Sequence, residues 1–79
     1  MLPYGVFCYY FKKEDPTFDS SIFQCWYFAN EQEARTFGNK KWIRMKEWKQ
    51  NDRYYLELWL RDEDGLFGNS GKPIKKWGG

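Results

Sequence analysis

The chain has no histidine, only two cysteines and a single valine among its 79 residues, and no run of 18 uncharged apolar residues. Without imidazole it cannot build a Ser-His or Cys-His nucleophile pair or a histidine-ligated zinc site, so the commonest acid-base and metal chemistries are excluded. Cys8 and Cys25 are too few for the disulfide framework of a small secreted domain and too few for a zinc cage. The amino end, Met1-Leu2-Pro3-Tyr4-Gly5, lacks the cationic region and the small-residue cleavage site of a signal peptide. No membrane span is therefore expected, and the expected location is the cytoplasm. A net charge of +2 is too small to demand a nucleic-acid or membrane partner by itself.

What the chain does have is aromatic surface: seven Phe, six Tyr and five Trp, 23% of all residues. Leu, Ile, Val and Phe together number only sixteen, yet the large rings supply enough burial per residue for an ordered domain. A chain this short buries somewhat more than roughly 60% of its unfolded surface, which leaves room for one domain, residues 1–79, of two packed layers. The Gly-rich segment 66–79 is expected to be a loop with a partly flexible tail.

Residues 4–12, bounded by Pro3 and by Glu14-Asp15-Pro16-Thr17, are dense in aromatic and β-favouring types, and residues 20–28 repeat that character. They are predicted to form an antiparallel hairpin. A turn centred between Pro16 and Thr17 sets Cys8 opposite Cys25, Phe7 opposite Trp26 and Phe11 opposite Ile22. Opposed cysteines can approach closely enough for a bridge, although reduced, buried thiols are the plainer expectation.

Asn30 with Glu33 matches a capping box, and Glu31 and Glu33 suit the positive first turn of a helix. The spacing of Ala34, Phe37, Trp42, Met45 and Trp48 predicts one helix running to about Lys49, with Ile43 exposed. Gly38-Asn39 is its weak point, since the pair can end a helix early. Tyr54–Arg61 alternates as a half-buried strand, Asp62-Glu63-Asp64-Gly65 is a turn with only a faint likeness to a calcium loop, and Pro73–Trp77 suits a short edge strand.

The order β-β-α-β-(β) gives an α+β fold: an antiparallel sheet of three to four strands with one helix on one face. In that arrangement Ala34, Phe37, Met45 and Trp48 pack on a sheet face carrying Phe7, Phe11, Ile22, Trp26, Phe28, Leu56, Leu58 and Leu60. Side-chain alternation then places Val6, Cys8, Tyr10, Phe23, Cys25, Tyr27, Tyr55, Glu57, Trp59 and Arg61 on the reverse face. An uncovered aromatic face of this size marks a contact surface. Tyr10, Phe23, Tyr27, Tyr55 and Trp59 are the expected anchors for a partner, with Glu57 and Arg61 as polar fixings. The competing arrangement has the tail fold over this face through Leu66, Phe67 and Trp77, or has the hairpin parity reversed.

Phe28-Ala29-Asn30-Glu31-Gln32-Glu33-Ala34, an aromatic strand running straight into an acidic-capped helix, is followed by Tyr54-Tyr55-Leu56-Glu57-Leu58-Trp59. Across residues 4–61 this style resembles small phage-encoded accessory proteins, anti-CRISPR proteins among them. The resemblance implies a stoichiometric inhibitor that occupies a host protein's surface in the host cytoplasm, and no individual functional residue is carried over. A host protein is thus the expected partner, with a homodimer through the same face as a variant. The alternative is a single-stranded nucleic-acid module, in which the aromatic face works with Lys40, Lys41, Arg44, Lys46 and Lys49 of the helix and Lys72, Lys75 and Lys76 of the tail. These hold eight of the thirteen positive charges. No pair of carboxylates falls into a catalytic constellation, so no enzymatic activity, cofactor or metal is expected.

Overall fold

Aromatic and β-favouring side chains pull Tyr4–Tyr10 (β1) and Ile22–Phe28 (β2) into strands. The structure, a computed structural model, describes residues 2–10, 22–68 and 71–78. Phe11, Lys12, the segment around Pro16, and Ser20 and Ser21 lie outside the described residues. The helix α1 spans Glu31–Glu47, and the chain finishes with Tyr54–Leu60 (β3) and Lys75–Trp77 (β4). The fold is α+β, with one helix on a four-stranded antiparallel sheet ordered β2-β1-β3-β4.

The hairpin register differs from the expectation by one residue. Val6 faces Trp26, Phe7 faces Cys25 and Cys8 faces Gln24, and a bulge then pairs Tyr9 with Ile22. A one-residue slip exchanges the two faces of a strand, so β1 turns over relative to the predicted arrangement. Val6 and Cys8 enter the helix-side core, whereas Phe7 and Tyr9 lie on the reverse face. The cysteines therefore project to opposite sides of the sheet. Both are free thiols, Cys8 buried and Cys25 exposed.

Helix α1 begins as predicted: Asn30 caps it, its Oδ1 accepting the Glu33 amide at 2.8 Å, and Glu31 pairs with Arg35 one turn on at 2.8 Å. It ends in a Schellman motif. The Gln50 amide donates to the Met45 carbonyl and the Lys49 amide to the Lys46 carbonyl, while Lys49 takes the left-handed conformation at φ 55°. Trp48, expected in the core, is the cap residue and is 62% exposed, because the chain leaves the helix before its ring can reach the sheet. Ile43 is exposed.

The helix-side core joins Val6, Cys8, Leu56, Leu58 and Trp77 of the sheet to Ala34 and Met45 of α1, with Trp26, Phe28, Phe37 and Trp42 at its margin. Ile22 and Leu60, expected there, sit at strand ends and are exposed. Gly38, rather than ending the helix, is buried beneath Trp77. A Cβ on it would overlap the indole, and the next residue, Asn39, accepts the indole N–H at 2.9 Å. Gly38-Asn39 is thus the seat for β4.

Candidate functional site: the reverse sheet face and the α1–β2 cleft

The reverse face is aromatic, as alternation along β2 and β3 requires, but its centre is closed. Phe7, Tyr9 and Trp59 are buried, with Tyr55 and Phe67 packed against them. Phe67 comes from the loop after β3 and covers Gly5. Its ring centroid lies 5.0 Å from that of Phe7 and 5.8 Å from that of Tyr27, and a Cβ on Gly5 would stand 3.1 Å from the Phe67 ring. Arg61 holds this cover in place. Its Nε donates to the Leu2 carbonyl and its Nη1 to the Gly65 carbonyl, both at 2.7 Å, while its guanidinium lies 4.4 Å from the Phe67 ring centre. The loop itself is an Asp-capped turn, Asp62 Oδ1 accepting the amides of Asp64 and Leu66.

Glu57 is a buried carboxylate in the same layer. Trp59 Nε1 donates to its Oε1 at 3.1 Å, and burial together with the Glu57 charge and hydrogen bond drives the Tyr9 phenol well above its ordinary pKa. Tyr55 stacks on Tyr9 at 5.0 Å, is raised by burial and by Glu57, and has the Lys76 ammonium 5.2 Å over its ring. Tyr27 is raised by its hydrogen bond with the Cys25 thiol, with burial adding and Arg61 opposing.

The seven expected anchor residues therefore do not share one open surface. Trp59 and Glu57 are buried, and Tyr55 and Arg61 are half-buried within the layer. Tyr27 remains 44% exposed at the β2 side. Tyr10 and Phe23 leave the group: next to the bulge, Phe23 packs on Tyr10 and on Tyr54, each at 5.2 Å, in a corner cluster with a residue of the helix-side core margin. The tail closes the face only in part, since Phe67 packs on it, Leu66 is exposed and Trp77 goes to the opposite layer.

The eight expected cations also separate. Lys46 lies over Trp42 and Lys75 over Trp77, toward the β4 side, Lys76 is on the reverse face, Lys49 ends the helix, and Lys72 is exposed in the tail. Lys40, Lys41 and Arg44 come together on the β2 side. There, with Trp26, Phe37, Ile43, Glu47 and Trp48, they line an open cleft of about 680 Å³ between α1 and β2. The Lys41 ammonium sits 5.3 Å over the Trp26 ring, and that ring packs on Phe37 at 4.8 Å. Burial pushes the Cys8 thiol up to about 11, and the Lys41 charge opposes that rise.

Sequence reasoning divided these residues between a core stripe and a solvated stripe. Phe37, Lys41, Arg44 and Trp48, at four- and three-residue spacing, form one helical stripe that pointed to the cleft. The cleft brings together apolar side chains, three cations and one carboxylate. Among the described residues no cluster of three His, Cys, Asp or Glu side chains suits a metal ion, and no helix is long and apolar enough to cross a membrane. Comparison with protein-family models, curated proteins and solved structures gives no match to this chain.

Proposed function

We propose that the protein is a non-enzymatic binding module whose working surface is the cleft between α1 and β2, and that its occupant is another protein. The observation that carries this is the cleft's composition. Two tryptophans, Phe37 and the 55%-exposed Ile43 are set among Lys40, Lys41, Arg44 and Glu47, which is the mixture of apolar anchors and mixed-sign charges found in protein contacts. The closed centre of the reverse face makes that face a weaker candidate than its composition suggests, although Tyr27 of β2 stays exposed there. A stoichiometric inhibitor of a host protein, as the likeness to small phage-encoded accessory proteins implies, is the form of this proposal in which occupancy alone is the activity.

The test is capture from nuclease-treated host lysate by the wild-type chain and by an Ile43→Ser, Trp48→Ala variant. Both side chains are solvent-facing, so the variant keeps its thermal midpoint. Truncating a true anchor costs about 2 kcal/mol or more of binding, so a protein held by the wild type is released by the variant. Equal capture by both chains refutes the placement.

Single-stranded nucleic acid is the second reading, favoured by the Lys41–Trp26 stack beside Lys40 and Arg44. It requires that a fluorescent oligothymidylate or oligouridylate bind at low salt and that affinity fall steeply as salt rises. An apolar protein contact is much less sensitive. No retardation of either oligonucleotide at low salt removes this reading.

A further inference from the structure

The two edges of the sheet are guarded very differently. β4 is three residues long and carries Lys75 and Lys76, the usual devices against edge-to-edge pairing. β2 is seven residues long, has a strand neighbour on one side only among the described residues, and reads Ile22-Phe23-Gln24-Cys25-Trp26-Tyr27-Phe28 without a charge, proline or glycine. Ile22, Phe23 and Tyr27 are each more than 40% exposed, and Gln24 and Cys25 are also exposed.

We propose that β2 is a self-association edge, pairing antiparallel with β2 of a second copy about a two-fold axis through Cys25. A neutral strand fits a neutral strand without like-charge repulsion, and the seven-residue length makes the pairing symmetric about its middle residue. Gln24 then lies beside the partner's Trp26, Phe23 beside the partner's Tyr27, and Ile22 beside the partner's Phe28. Aromatic and aliphatic residues so opposed are the pairs that stabilise sheets. A closed two-fold contact of this kind uses the β2 edge completely and leaves only the short, lysine-bearing β4 edges outermost.

Antiparallel pairing requires the axis to be perpendicular to the sheet, so both helices lie on the same side of an eight-stranded platform. The two α1–β2 clefts then open into one trough, floored by β2 and its copy. The rows of Lys40, Lys41 and Arg44 then face each other across the trough, and salt screens part of their mutual repulsion.

The test is sedimentation equilibrium of the full chain up to roughly 0.3 mM, a concentration that saturates a micromolar contact. The wild type and Cys25→Ser are expected to be dimers, with Cys25→Lys monomeric because it sets two ammonium groups directly opposite each other on the axis. Circular dichroism of Cys25→Lys is expected to match the wild type, since Cys25 is exposed. As a readout of register, diamide treatment of the wild type, in which two thiols give up two electrons and two protons to the reagent, is expected to link the copies through Cys25. A monomeric wild type over the whole range overturns the proposal. So does a Cys25→Lys chain that dimerises as well as the wild type, or a diamide-treated dimer without the covalent link.

Discussion

Replacing Gly38 by alanine sets two physical effects against each other in one residue. In an exposed helix interior the change stabilises by about 1 kcal/mol, because alanine is the better helix former. Here the added methyl overlaps Trp77 Cη2 and Cζ2 and lies 2.8 Å from Cζ3. The indole cannot simply swing away. It is 5% exposed, opposes Leu56 across the β3–β4 ladder and donates its N–H to Asn39 at 2.9 Å. Overpacking of this kind costs about 1–3 kcal/mol, and losing the indole hydrogen bond about 1 kcal/mol more. The net expectation is a loss of about 2 kcal/mol, which for a domain of this size lowers the thermal midpoint by roughly 10 °C. Thermal unfolding followed by far-UV circular dichroism measures it, and the near-UV tryptophan signal should change with it. In a Trp77→Ala background the same Gly38→Ala change should be stabilising, because the clash is gone and the propensity gain remains. A single Gly38→Ala variant with an unchanged or raised midpoint refutes the packing role assigned to this glycine.

Lys49 holds the left-handed position of the helix end at φ 55°, so Lys49→Gly should raise stability by about 1 kcal/mol in urea unfolding, with the m value unchanged. Phe67→Ala should expose Phe7 and Tyr27, lower stability by about 2 kcal/mol as a half-buried ring is lost, and increase binding of an apolar dye. In the native protein a thiol reagent at neutral pH should label Cys25 alone, and both thiols after unfolding. The Cys8 thiol is raised by burial from 9.0 to about 11, and the Tyr9 phenol is raised as well. An acid whose folded pKa is raised stabilises fully below its unfolded value, so stability should hold up to about pH 9 and fall as pH rises toward 11. A stability profile flat across that window contradicts the burial of these two groups.

Helix α1 and the strand sequence were legible because they rest on local chemistry: the Asn30 cap, the β-favouring runs and the edge-strand lysines. The face assignment of β2 and β3 was legible by alternation. That of β1 was not, because it depends on whether paired residue numbers sum to an odd or an even value, and the intervening segment carries no signal that fixes this. The bulge at Tyr9 and Ile22 compounds the difficulty, carrying Phe23 to the Tyr10–Tyr54 corner. Trp48 was misplaced because the helix stops through a lysine, where glycine is the usual signal for a left-handed cap. Phe67 closing over Gly5 and Trp77 seating on Gly38 are long-range contacts with no trace in local pattern. Together they moved the open surface from the sheet face to the β2 side, where the helical stripe from Phe37 to Trp48 supplies its wall.

The most direct measurement of that placement is hydroxyl-radical footprinting of the captured complex beside the free chain. Loss of oxidation at Ile43 and Trp48, with Tyr55 and Leu66 unchanged, is the predicted result. Protection of Tyr55 and Leu66 with Ile43 and Trp48 still fully oxidised would place the contact on the reverse sheet face and contradict the account.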